Sequence, residues 1–128
     1  MNFLPIFLDL KKRSCVVIGG GEVASRKVTL LLEAGAQITV YAPTASETIR
    51  RWAADGKVRH VVREFRPEML DGCALVIAAT DDKSVNRQVS DAAKARNIPV
   101  NVVDQPDLCT FIMPSIIDRS PVTIAVST

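Results

Sequence analysis

The sequence predicts an α/β domain built on a doubly wound parallel sheet. Three observations carry that expectation. Short β-branched runs alternate with stretches whose apolar residues recur at helical spacing. The strongest run, Ala74 to Ala79 (ALVIAA), is hydrophobic without alternation, as central parallel strands tend to be. The first run also ends in three glycines that open a helical pattern. The β-α-β-α-β order then implies right-handed crossovers, with helices on both faces of the sheet.

Taken in order, Ser14 to Ile18 (SCVVI) reads as a buried strand running into Gly19-Gly20-Gly21. Ala24, Val28, Leu31 and Leu32 form one face of a helix, and Gly35 is placed to end it. Gln37 to Tyr41 is the second strand, closed by Pro43, which cannot pair within it. A helix around Ser46 to Ala54 leads through Asp55-Gly56 to a strand at Val58 to Val62. After the ALVIAA strand, Thr80-Asp81-Asp82 offers an oxygen side chain to cap a helix striped by Val85, Val89, Ala92 and Ala93. Pro99 to Val103 is a further strand. Beyond Asp104, apolar runs at Phe111 to Met113, Ile116-Ile117 and Val122 to Val126 are cut by Pro114 and Ser120-Pro121, which predicts short added strands or hairpins without helices.

At 128 residues the chain is the size of one ordinary domain, and 48% hydrophobic content suits a globular core. No stretch approaches the ~20 apolar residues of a membrane span. The first ten residues are too short and too poor in positive charge for a secretory signal, so the expected compartment is the cytoplasm. Sixteen basic against 14 acidic residues give no basis for general nucleic-acid binding. The three cysteines, Cys15, Cys73 and Cys109, make no C-x-x-C pair, and His60 is the only histidine, so no protein metal site is expected. Cys15 and Cys73 read as small buried hydrophobes.

Gly19-x-Gly21-x-x-Ala24 has the spacing of a Rossmann-like dinucleotide turn. The first glycine allows a tight turn, the second lets backbone approach a pyrophosphate, and the small third residue lets helix and strand pack closely. Glu22 and Val23 would meet the ligand through backbone groups at the helix start. The plainer reading of such a turn is strand–helix packing alone, but strand, helix and second strand all fall where binding needs them. One element is missing: the acid expected at the end of the second strand to hold the adenosine ribose. Pro43 and Thr44 stand there instead, and Thr44 offers a hydroxyl, so motif logic alone does not separate NAD from NADP. Thr80, Asp81 and Asn101 follow later strands at the same carboxyl edge, where ligands of open α/β sheets bind.

The segments LPIFLDL, VVIGGGEVASRKVTLLLEAGAQITVYAP, VIAATDD, NVVDQP and FIMPSIIDRSPVTIAVST are more specific than a glycine turn. Together, from Leu4 to Thr128 and in order, they resemble the amino-terminal module of the sirohaem synthase family, the precorrin-2 dehydrogenases and sirohydrochlorin ferrochelatases. The resemblance implies that NAD⁺ oxidises precorrin-2 to sirohydrochlorin and that ferrous iron, a substrate, is then inserted in the same cleft. It assigns both steps to Asp104. From position alone, a carboxylate there is equally a proton acceptor and a turn cap before Pro106. The substrate bears carboxylates around a flat ring, so Ser115, Arg119 and Arg26 are candidate contacts, with Phe111, Met113 and Pro114 as an apolar wall. The plainer readings are a surface ion pair for Arg119 and core for the Phe-Ile-Met run.

Ser127 and Thr128 match a segment the family places near the tetrapyrrole. Some members carry a regulatory phosphoserine where this chain has Thr128. Family members continue with a glycine-rich turn and a helical dimerisation region, and some with a fused methyltransferase. Residues 1–128 are therefore expected to be either a fragment or a shortened form, with a homodimer in the full-length protein. Two other classes stay open: a non-catalytic NAD-sensing regulatory domain, and a dehydrogenase without chelatase activity. The first favours an acid after the second strand, which is absent, and gives no reason for Asp104 beside FIMPSIIDRS.

Overall fold

The computed structural model describes residues 1–128. Its main sheet holds β1 (Ser14–Ile18), β2 (Gln37–Tyr41), β3 (Arg59–Val61), β4 (Leu75–Ala78) and β5 (Val100–Val102), all parallel, in the order β3-β2-β1-β4-β5. Three helices connect them: α1 (Glu22–Glu33), α2 (Glu47–Ala54) and α3 (Lys83–Ala95). The order reverses between β1 and β4, which leaves a crevice at their carboxyl ends.

Alternation along each central strand feeds two cores. Cys15 and Val17 of β1, with Leu75 and Ile77 of β4, pack against Val28 and Leu31 of α1 and Ile49 of α2. Val16, Ile18, Val76 and Ala78 face the other way, onto Val89 and Ala93 of α3. Burial on both faces is why β1 and β4 read as unbroken apolar runs.

The helix ends follow local chemistry. Gly35, at φ 77°, ends α1 and donates its N–H to Leu32 O. The Ser46 hydroxyl accepts from Ile49 N at 3.2 Å to cap α2, and Asp82 Oδ1 accepts from Ser84 N and Val85 N to cap α3.

Three features depart from the sequence expectation. Single turns of 3₁₀ helix form at Pro67–Leu70 and Pro106–Leu108, each started by a proline whose missing N–H costs nothing at a first position. The strand expected over Val58 to Val62 narrows to β3 at the sheet edge, where the ring of His60 donates from Nε2 to the Ala42 carbonyl at 3.0 Å. Phe111 to Met113 is not a strand. The chain there folds back along β5, where Thr110 N donates to Val100 O at 2.8 Å and Asn101 Nδ2 to Phe111 O at 3.1 Å. That strap covers the open edge of β5, and the Phe111 side chain packs partly into the α1–α2 core.

The remaining strands, β6 (Ser115–Arg119) and β7 (Val122–Val126), form a separate antiparallel ribbon with a cis Ser120–Pro121 peptide at its tip. All ten of its strand residues are exposed. No helix of the chain is long and apolar enough to cross a membrane.

Candidate active site

The glycine turn is built by close approach on two sides. Gly19, at φ 122°, sits in a backbone region that L side chains rarely adopt, and a Cβ there would collide with the Ala79 carbonyl across the crevice. At Gly20 a Cβ would strike the Thr44 carbonyl and the Ala42 methyl, because the loop after β2 is tied down over the turn. That tie is a short bond from Ser46 N to Gly20 O, 2.6 Å, reinforced by a hydroxyl chain. Ser46 Oγ lies 2.9 Å from Ser25 Oγ, which donates in turn to Gly21 O at 3.0 Å.

Gly21 differs from both. No atom lies within 4 Å of a Cβ placed there. As the N-cap of α1 it carries no capping side chain, and the N–H groups of Glu22, Val23 and Ala24 find no partner in the chain. An open backbone cradle with free donors at the positive end of a helix fits a pyrophosphate. Ala24 is wholly buried against the sheet, as the third small position requires. Gly21, Glu22 and Val23 are the residues that would hold a dinucleotide here, through backbone N–H groups.

Across the crevice, Thr80 follows β4 but spends its hydroxyl on the protein. It donates to Asn86 Oδ1 at 2.6 Å and accepts from Asp82 N at 3.2 Å, while Asn86 Nδ2 donates back to Thr80 O. Thr80 therefore shapes the crevice wall, and its side chain is not free for a ligand. Asn86, buried and absent from the sequence reading, is the residue that fixes it. Its signal was only an asparagine on the buried stripe of an amphipathic helix. Asp81 and Thr44 are exposed near the same edge, as is Pro43.

A second feature opens beside the crevice, at the end of β5. A cavity of about 220 Å³ is lined by Lys27, Asn101, Asp104, Gln105, Cys109 and Met113, among others. Asp104 enters it from a left-handed turn, φ 62°, an uncommon conformation that aspartate tolerates better than most residues. Its carboxylate accepts no hydrogen bond and makes no ion pair within the chain. The turn-cap reading of Asp104 therefore finds no support, and its oxygens are free for chemistry.

Asn101 is nearly buried and holds the strap through Nδ2, leaving its carbonyl oxygen as the group available to a ligand. Cys109 is pinned at the cavity wall, its sulfur accepting from Val102 N at 3.1 Å. The other two thiols, Cys15 and Cys73, are pushed up to about 11 by burial, as suits inert core positions.

The structure brings together Gly19, Gly21, Glu22, Val23 and Thr80 around the crevice, and Asn101 with Asp104 in the adjoining cavity. It does not bring Ser115, Arg119, Ser127 or Thr128 there. All four are exposed, on the ribbon or past its end, and Arg119 donates only to the neighbouring Asp118 carbonyl instead of pairing with an acid. Arg26 is exposed outside the cavity, whereas Lys27, beside it in sequence, lines it. Of the proposed apolar wall, Met113 lines the cavity together with Ile112, while Phe111 belongs to the core. No three His, Cys, Asp or Glu side chains converge as a metal site would need.

Known proteins share this sequence and fold. A family model described as putative NAD(P)-binding matches residues 6–115. The siroheme synthase of Methylobacillus flagellatus is 60% identical over 127 residues, covering 99% of this chain and 27% of that protein. That of Nitrosospira multiformis is 56% identical over 131 residues, covering 99% and 28%. The chain thus spans about a quarter of the length of these relatives. Among solved structures, the precorrin-2 dehydrogenase SirC superposes with a TM-score of 0.85 at 35% identity, over 98% of this chain and 61% of that one. A D-lactate dehydrogenase from Escherichia coli, 14% identical with a TM-score of 0.57 over 80% of this chain and 31% of its own, shares the fold alone. The chain belongs to the NAD(P)-binding family that the siroheme synthases and the precorrin-2 dehydrogenase SirC represent.

Proposed function

We propose that this protein oxidises precorrin-2 to sirohydrochlorin with NAD⁺ and then inserts ferrous iron, a substrate, to give sirohaem. The observation that carries the proposal is the unpaired carboxylate of Asp104, held in a left-handed turn in a cavity next to an open dinucleotide cradle. The likeness to a precorrin-2 dehydrogenase supplies the substrate class.

Bound NAD⁺ would supply the hydride acceptor for the oxidation. The chain's own tasks are to orient and to take protons. Gly21, Glu22 and Val23 fix the pyrophosphate with backbone donors, and Gly19 and Gly20 let β4 and the β2 loop close on the turn without a clash. The Asp104 carboxylate accepts the proton that leaves the macrocycle as the hydride departs elsewhere. Iron insertion releases two pyrrole protons, and the same carboxylate can relay them singly to solvent because it is exposed. Asn101 presents a carbonyl oxygen at the cavity wall.

Ser115, Arg119, Ser127 and Thr128 complete the substrate site in a homodimer, where the ribbon is seated against a second subunit. What supports that assembly is the ribbon's uncovered apolar face: Ile117 pairs with Ile124, flanked by Val122 and Val126, all about half exposed. Three free cysteines suit the reducing cytoplasm.

Absorbance of the macrocycle under anaerobic conditions tests the reading in the intact protein. Wild type turns over with NAD⁺. Asp104→Asn, which keeps the left-handed backbone accessible, loses about 100-fold or more in oxidation rate while binding NAD⁺ within about twofold of wild type. A wild-type rate in that variant removes Asp104 from the chemistry. Oxidation without iron insertion by the wild type leaves a dehydrogenase alone, and NAD⁺ binding without either reaction leaves the sensing domain.

A further inference from the structure

Lys27 lines the Asp104 cavity, and nothing in the chain neutralises it. It is half-buried on α1, beside the stripe of Ala24, Val28 and Leu31 that packs on the sheet. A lysine in that position lays its stem along apolar surface and carries its ammonium to the open end. The two ion pairs of the molecule, Arg51 with Glu47 and Arg96 with Asp71, lie elsewhere. Lys27 and Asp104 thus line one cavity without pairing, so a cation and an anion are both presented to whatever enters. A ligand carrying carboxylates and N–H groups satisfies both.

Gln105 adds a second, independent sign that this cavity is incomplete without a ligand. It lines the same walls, yet its Oε1 is buried and finds no donor. The terminal amide torsion is broad and roughly two-fold. A rotation of that amide is the movement that would offer the oxygen to a ligand N–H.

We infer that Lys27 is a substrate-positioning and specificity residue, its ammonium holding a peripheral carboxylate of the tetrapyrrole while Gln105 accepts from an N–H of the same molecule. A cofactor phosphate is the other anion within conceivable reach. The pyrophosphate cradle, however, is at Gly21 to Val23, and Lys27 lies more than one turn along α1 from its start, beside the strap after β5. The inference rests on the substrate reading above, and its test separates the two.

In the intact protein, Lys27→Gln is expected to raise the KM for precorrin-2 about tenfold, the usual size of a lost charge-assisted contact, with kcat and the Kd for NAD⁺ within about twofold. Lys27→Arg, which keeps the charge, restores KM to within about threefold. Equilibrium binding of sirohydrochlorin, read by its absorbance, weakens about tenfold in Lys27→Gln as well. An unchanged KM in Lys27→Gln overturns the inference, as does a tenfold loss of NAD⁺ affinity at constant substrate KM, which would give Lys27 to the cofactor. If wild type bound sirohydrochlorin about tenfold tighter than Lys27→Gln yet oxidised no precorrin-2, the Lys27 contact would stand and the catalytic reading would fall. Equal binding, or none, in wild type and variant overturns the contact.

Discussion

β4 and β7 are written in almost the same alphabet, LVIA and VTIAV, and meet opposite fates. All four residues of β4 are buried, between β1 and β5 and under helices on both faces. All five of β7 are exposed, with one partner strand and no layer above or below. An apolar run therefore specifies extended backbone, but its burial depends on what the rest of the chain stacks on it. In β4 the transfer of apolar surface from water is realised within the molecule. In β7 it remains available to something else. Two-stranded ribbons are marginal alone, so the two regions should differ in stability, in mutational sensitivity and in exchange.

Hydrogen exchange gives the largest contrast. Local opening spans from near zero at frayed elements up to the global free energy in core strands. The amides of Val76 and Ile77 are expected to exchange at least ~10³-fold more slowly than those of Ile117 and Ile124. Equal protection in dilute protein would mean that the ribbon is stabilised by contacts the structure does not show. Ribbon protection that rises with protein concentration would identify a second copy as its cover.

Truncation of matched residues comes next. Ile77 has no accessible surface, and Ile77→Ala should cost roughly 2–5 kcal/mol in denaturant unfolding, from lost transfer energy and the cavity left behind. Ile117 is 45% exposed, and Ile117→Ala should stay within about 0.5 kcal/mol. Comparable losses at the two sites would erase the distinction between the strands.

How far each region could be read beforehand follows from the same contrast. The five parallel strands and their helices, a cap within Thr80-Asp81-Asp82 and the glycine turn were legible because each depends on local chemistry or on periodicity. The sites that were missed are those where distant segments meet. Gly20 is only the unassigned position between two motif glycines, yet the β2 loop packs against it. Asn86 and Thr80 hold each other across six residues, and Lys27 reaches a cavity floored by a strap more than seventy positions later. Phe111 to Met113 read as a strand because its apolar content is high, while its backbone bonds go to capping the edge of β5. Ser115 and Arg119 are exposed on the ribbon, away from the cavity, so their role stays a proposal.

The adjacent glycines allow a finer cut within the buried half. Gly20→Ala forces a methyl into the Thr44 carbonyl and the Ala42 side chain, and should cost about 1–3 kcal/mol of stability. Gly21→Ala meets no protein atom, and its backbone, at φ −86°, suits alanine. It should change stability by about 0.5 kcal/mol while weakening NAD⁺ about tenfold, because the methyl would fill the open cradle proposed for the phosphate. Calorimetric unfolding and NAD⁺ titration on both variants check this. Unaltered NAD⁺ affinity in Gly21→Ala would displace the cofactor from the cradle.

The smallest effect belongs to the two core thiols, and only the buried region can show it. Burial chiefly raises Cys15 and Cys73 from an ordinary value of 9.0 to about 11, while the ribbon has no cysteine. Below pH 9 these thiols are protonated in both folded and unfolded chains, so the stability linked to them is fully present. Between pH 9 and pH 11 the unfolded chain releases protons that the folded chain retains, and stability falls. Other groups titrate there too, so the readout is a difference. Wild-type stability should decline more steeply over that range than that of the Cys15→Ala, Cys73→Ala double variant, whose curve sits lower at neutral pH because two buried sulfurs are gone. Parallel slopes would mean that water reaches these thiols, and that the core beneath β1 and β4 opens more readily than its packing implies.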